Sequence, residues 1–180
     1  MLLSHNEIIK LCEQGVIENW KDTAVNAASL DLHLGNKILI EAGNENFSRV
    51  VDYKSRERLN MKEVDLTHVG YVLRPGEFIL ASTKEIFHLP YDISAEYKLK
   101  SSMARIGIDH LNAGWADAGW HGSVLTLEFK NVTQWHEIRI RPGDAIGQMI
   151  FFRHAPVDYD QSYAARGRYN QDKQVSGIKV

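Results

Sequence analysis

The chain has 180 residues, 44% of them apolar and 24% charged, with 21 Lys and Arg against 23 Asp and Glu for a formal charge of −2. These values describe one soluble domain with a sizeable core, not a disordered chain, and the near balance of charge supplies no bulk attraction for nucleic acid. The one cysteine, Cys12, excludes an internal disulfide and fits a reducing compartment, and no apolar run approaches the length of a membrane span.

Ser4-His5-Asn6-Glu7 has capping-box spacing, with Ile8, Leu11 and Cys12 at helical spacing behind it, so a short helix closed by Gly15 is expected. The start lacks a basic region followed by an apolar one, and the expected location is the cytoplasm. Leu30, Leu32 and Leu34 alternate as one face of a strand, and an apolar run resumes at 37–40. Asp31, between them, is either structural, the larger share, or close to a subunit contact. Residues 41–66 have little period and read as an excursion of loop and short strand. Pro75-Gly76 and Pro142-Gly143 each sit at a turn before an apolar strand. Many short strands, Pro-Gly turns and one early helix predict a mainly β sandwich or jelly roll.

Chemistry concentrates between Lys100 and Asn131, KSSMARIGIDHLNAGWADAGWHGSVLTLEFKN. Lys100-Ser101-Ser102-Met103-Ala104-Arg105 places two cations around two hydroxyls, which suits an oligophosphate; a solvated turn is the other reading. Residues 112–122 carry Gly114, Gly119 and Gly122, either a hairpin whose backbone reads a planar base or an ordinary Gly-rich turn packed by Trp115 and Trp120. In the strand that follows, Leu125, Leu127 and Phe129 take one face, and Val124, Thr126, Glu128 and Lys130 take the other. A glutamate partly desolvated by Val124 and Thr126 is a candidate general acid/base. None of the eight histidines has metal-ligand spacing, and His121 is the one singled out for test. The tail from Tyr163 to Gln174 is polar, cationic and aromatic.

These parts resemble the dCTP deaminase branch of the dUTPase superfamily. That family shows a [KR]-S-S-x-[AG]-R block, here Lys100–Arg105, a Gly-containing hairpin with a central Asp, here Asp117, and a strand ending Leu127-Glu128-Phe129. The likeness extends to S-[IL]-D-[VL]-x-L-G at 29–35, P-G-E-F-x-L-x-[ST]-T at 75–83 and P-G-x-x-I-[GC]-Q-[LM] at 142–149. Ala118 and Ser162 stand where the family has proline. The spacing from Asp117 to Glu128 is one residue long, which a bulge between Gly122 and Thr126 would absorb.

The resemblance implies a dUTPase-like distorted β-barrel, jelly-roll-like, as one domain over 1–180, and a homotrimer with sites between subunits. An arm over about 160–180 would close on the nucleotide. It implies hydrolytic deamination of dCTP to dUTP and ammonia. Lys100, Ser101, Ser102 and Arg105, with Tyr163 and Arg168 of the arm, would hold the triphosphate as its magnesium complex. Backbone at Ala113 and Gly114 would face the base, Asp117 would lie near the deoxyribose, and Gln148 near the nucleotide. Met103, Ala104, Thr126 and Leu127 complete the expected contacts, with the arm's glutamine either Gln171 or Gln174. Glu128 would be the general acid/base, oriented by Arg105, with Ser101 and the Ala113 carbonyl placing the water. One cysteine cannot supply the ligands of the zinc deaminases, so zinc-free chemistry is expected. The dUTP diphosphatase activity, alone or combined with deamination, is the alternative, and dTTP is a candidate inhibitor. A non-catalytic binding module is a third reading; it would have no need for Glu128. Neither nucleic acid nor membrane is an expected partner.

Overall fold

Short alternating strands form most of the regular structure. The computed structural model describes residues 1–43 and 50–179. Helix α1 (His5–Glu13) comes first, then β1 (Ile17–Glu18), β2 (Leu30–His33), β3 (Lys37–Glu41) and β4 (Met61–Asp65). Strands β5 (Tyr71–Leu73), β6 (Phe78–Ser82), β7 (Ile86–His88) and β8 (Ile93–Leu99) lead to helix α2 (Ser101–Arg105). After it run β9 (Ile108–His110), β10 (Trp115–Ala116), β11 (His121–Ser123), β12 (Thr126–Asn131), β13 (Ile138–Ile140) and β14 (Ala145–Arg153), and then helix α3 (Tyr163–Arg166). The excursion after β3 falls partly outside the described residues, at 44–49. Its far end is β4, which pairs along all of β3. Among the described residues no helix is long and apolar enough to cross a membrane.

The caps and turns form as the residues dictate. The Glu7 carboxylate accepts the Ser4 N–H at 2.9 Å and the Ser4 hydroxyl at 2.8 Å, which fixes the start of α1. Its inner stripe of Ile8, Leu11 and Cys12 is buried. Burial, helped by the charge of Asp22, pushes the Cys12 thiol up to about 12. The two Arg-Pro-Gly-acid turns are built alike: the acid's side chain accepts the arginine N–H at 2.7 Å, Glu77 for Arg74 and Asp144 for Arg141.

Two sheets carry the core. One is five-stranded, ordered β4-β3-β6-β12-β9, and the other four-stranded, ordered β10-β8-β14-β2. All their pairings are antiparallel. Leu30, Leu32, Ile38, Leu127, Phe129 and Phe151 fill the space between them with almost no exposure. The smaller sheet β1-β7-β11 adds Phe87, whose ring stacks on Trp120 at 5.4 Å.

Three expectations are corrected. The segment 112–122 is not a hairpin paired with itself, because β10 pairs with β8 and β11 with β7, so the chain crosses from one sheet to another. The Gly114 carbonyl, taken by the Tyr97 N–H at 2.7 Å, fixes the first end, and a turn from Asp117 to Trp120 makes the corner. Second, Ser123–Phe129 is not one strand. It breaks at Val124 and Leu125, whose N–H groups turn to the Asp172 carbonyl and the Thr83 hydroxyl. Third, Trp115 and Trp120 do not pack alike: Trp120 is buried, whereas Trp115 is exposed and lies over Phe152. A register shift stands at the near edge of the window 122–126 where a bulge is expected. Between His121 and Ser123 the register against β7 shifts at Gly122, whose φ of 67° suits glycine, and the following strand keeps its alternation.

Gly147 on β14 lies against the Tyr97 ring, where an added Cβ would sit 2.1 Å from a ring carbon. Tyr97 is held there by its hydroxyl, which donates to the Ile146 carbonyl at 3.1 Å. Gly147→Ala is therefore expected to cost about 1–3 kcal/mol through overpacking. Urea unfolding measures it, and an unchanged midpoint would show that the ring gives way freely.

Candidate active site

Glu128 lies near the middle of β12, and its register sets its surroundings. It faces Leu80 of β6, which faces Leu39 of β3. Leu127 and Phe129 on either side point into the core. The carboxylate thus sits on a largely apolar floor with about a quarter of its side chain exposed. Above it is a cleft of about 820 Å³, within the usual size of a small-molecule site. Ala113, Asp117, Thr126, Glu128, Tyr163 and Tyr169 supply polar groups or backbone around it.

The tail forms one wall and docks on its own chain. The Tyr169 carbonyl accepts the Trp120 indole N–H at 2.9 Å and the Ser123 hydroxyl at 2.8 Å. The Ser176 N–H reaches the Thr126 hydroxyl at 3.4 Å. Tyr163 is anchored by its N–H to the Ala118 carbonyl at 2.9 Å. Burial raises the pKa of its phenol, so the group remains a donor near neutral pH. Asp117 accepts the Trp115 indole N–H at 2.8 Å and borders both the main cleft and a smaller hollow of about 380 Å³ beyond Tyr163.

The expected site residues divide into two groups. Ala113, Asp117, Thr126, Glu128 and Tyr163 meet around the cleft, whereas Lys100, Ser101, Ser102, Ala104 and Arg105 do not line it. That second block is α2 with Lys100 at its N-cap, and its side chains except Met103 lie at the surface or half-buried. Lys100 is ion-paired with Asp31, which also accepts from Asn26 at 2.8 Å and Gln148 at 3.4 Å. Asp31 therefore anchors the lysine, and Gln148 belongs to this group.

Other expected residues stand off the cleft or face the core in this chain. Met103 and Leu127 put their side chains in the core, so only their backbones could meet a ligand. Arg168 and Gln171 are exposed and off the cleft; Gln171 packs over Gly122. Gln174 accepts from Lys37 at 3.4 Å. His121 binds the Gly119 carbonyl at 2.9 Å and shapes the turn. Within the chain Arg105 makes no ion pair with Glu128 among the described residues. The group beside that carboxylate is His110, its Nε2 3.4 Å from Oε2. Local spacing does not reveal this contact; the pairing of β9 with β12 creates it.

Magnesium, which the resemblance implies, fits here only as part of the nucleotide. Among the described residues no three His, Cys, Asp or Glu side chains gather as a metal site. A magnesium ion bound chiefly by phosphate oxygens and water needs no such cluster. The protein's share would be to hold the phosphates.

A family model described as dCTP deaminase-like matches residues 2–154. A "dCTP deaminase, dUMP-forming" from Sulfurihydrogenibium sp. is 33% identical over 182 residues, covering all of this chain and 97% of that one. Another of the same name from Methanospirillum hungatei is 36% identical over 156 residues, 84% of this chain and 81% of that one. The crystal structure of 2′-deoxycytidine 5′-triphosphate deaminase from Agrobacterium tumefaciens is 29% identical with a TM-score of 0.66 over 85% of this chain; the chain spans 48% of that protein. The dUTPase of Streptococcus mutans, 15% identical, shares the fold with a TM-score of 0.50 over 77% of this chain and 88% of that one. The mainly β framework is thus dUTPase-like, and because the family match runs across most of its length, the chain belongs to the dCTP deaminase-like family of enzymes.

Proposed function

We propose that the chain deaminates dCTP and carries the product on to dUMP and diphosphate, in sites completed between subunits of a homotrimer. The observation that carries this reading is Glu128, set on an apolar floor in the same cleft as Asp117. Glu128 takes a proton from water as the oxygen adds to C4 of cytosine and delivers it to N3. A second proton passes from the new hydroxyl to the amine, the C4–N bond breaks, and ammonia leaves behind a C4 carbonyl. Asp117 then takes a proton from a second water that attacks the α-phosphorus, and the α–β bridging bond breaks to release diphosphate. The relatives' names, dUMP-forming, favour this two-step outcome over dUTP as the end product.

The division of the site supports such an assembly. The cleft has the base and sugar side, but the cationic block of α2 lies elsewhere on the chain. Around α2 and the ends of β9 and β12, Ile106, Leu111, Val132 and Trp135 are all more than half exposed. Such a set of apolar side chains suits a subunit contact. A second copy docked there would bring its Lys100, Ser101, Ser102 and Arg105 to the phosphates above this chain's Glu128.

With dCTP and magnesium, separation of products is expected to show dUMP, diphosphate and ammonia; accumulation of dUTP alone would remove the second step. Glu128→Gln should slow ammonia release by a factor on the order of 10²–10⁴ yet still convert added dUTP, whereas Asp117→Asn should stop at dUTP.

The shared site has its own test. Glu128→Gln and Arg105→Ala subunits, inactive separately, should regain turnover when co-expressed, in about a quarter of the sites for random mixing. No recovery in verified mixed oligomers would place both residues in one subunit's site.

A further inference from the structure

His110 ends β9, opposite Phe129 of β12, so its ring lies beneath the strand that carries Glu128. Its side chain is only 4% exposed. The Tyr97 ring packs on it at 4.7 Å and the Phe129 ring meets it edge-on at 6.0 Å, which fixes the plane of the imidazole. The Leu111 N–H donates to the Glu128 carbonyl at 3.3 Å and ties the two backbones together beside the pair.

His110 Nε2 and Glu128 Oε2 lie 3.4 Å apart, outside the geometry of a hydrogen bond, and neither atom has any other partner among the described residues. Buried polar atoms without partners are rare. Two that face each other at the carboxylate assigned to catalysis form a contact that a small rotation completes.

We infer that His110 is the positioning residue of Glu128, donating Nε2–H to Oε2 and leaving Oε1 as the only oxygen that handles protons. The inference rests on the proposed deamination. An ionised carboxylate only accepts hydrogen bonds, so the imidazole must be the donor. Oε2 still accepts, though more weakly, once Oε1 carries a proton, so the contact can persist through the cycle. Water and N3 then meet one oxygen at one fixed angle, and proton pick-up and delivery need no turn of the carboxylate.

Three variants and one spectrum test this. His110→Phe keeps the ring and its packing without the donor, and should lower kcat for ammonia release on the order of 10–100-fold with KM nearly unchanged. His110→Gln, whose amide reaches about as far as Nε2, should recover most of the rate. The double variant with Glu128→Gln should be no slower than Glu128→Gln alone, because both act through one group. Wild-type kcat in His110→Phe, or losses that multiply in the double variant, would overturn the role. Nitrogen-15 correlation spectra of the wild-type protein need no turnover and should place the ring proton on Nε2, with a resonance that moves in Glu128→Gln. A ring protonated on Nδ1 alone overturns the inference even if His110→Phe does not fold. Failure of the wild type to release ammonia from dCTP would instead defeat the proposed reaction, leaving the spectrum to decide the contact.

Discussion

If Leu127 and Phe129 are to be buried, strand β12 can pair only in registers of one parity, and that parity turns Glu128 toward the cleft. Because side chains alternate along a strand, a slip of one residue would bury the carboxylate and expose both apolar neighbours. The constraint is enforced from three sides. β6 pairs along Thr126–Lys130, β9 pairs along Phe129–Asn131, and the Thr83 hydroxyl accepts the Leu125 N–H at 3.0 Å. At the far end Asn131 is fully buried, with its amide donating to the Leu73 and His136 carbonyls and its oxygen accepting the Thr133 N–H. A buried amide satisfied on both sides fixes the strand end more sharply than apolar packing alone.

The rest of the cleft is arranged around that strand. The lead into β10 brings Ala113 over it and the crossing from β10 to β11 brings Asp117, and the tail returns along Ser123 to Thr126 to wall it in. Much of the tail's attachment uses hydroxyls and backbone groups, not a packed apolar face. Such contacts exchange readily with water, which agrees with the proposed role of the tail in admitting and releasing a nucleotide.

What the sequence reveals is what depends on neighbours a few residues away. Ser4 with Glu7, the two Pro-Gly turns and the alternation around Glu128 are local, and each forms as expected. The bulge at Gly122 lies at the edge of the window that the spacing suggests. His110 is different: it stands eighteen positions before Glu128, and only the antiparallel pairing of β9 with β12 brings them together. The crossing of 112–122 between sheets was hidden for the same reason, since a Gly-rich stretch reads alike whether its arms pair with each other or with other strands. The motif resemblance reached the α2 block, but no local pattern places it relative to Glu128.

Cys12 has a consequence of its own. Its sulfur faces the core from α1, and a thiol held up to about 12 has almost no thiolate at any pH the fold would meet. Oxidants and alkylating reagents therefore find no nucleophile while the helix is seated. Modification must wait for α1 to lift, so its rate is a clock for that opening alone, and a cysteine introduced elsewhere on the surface would be the chain's sole reactive handle.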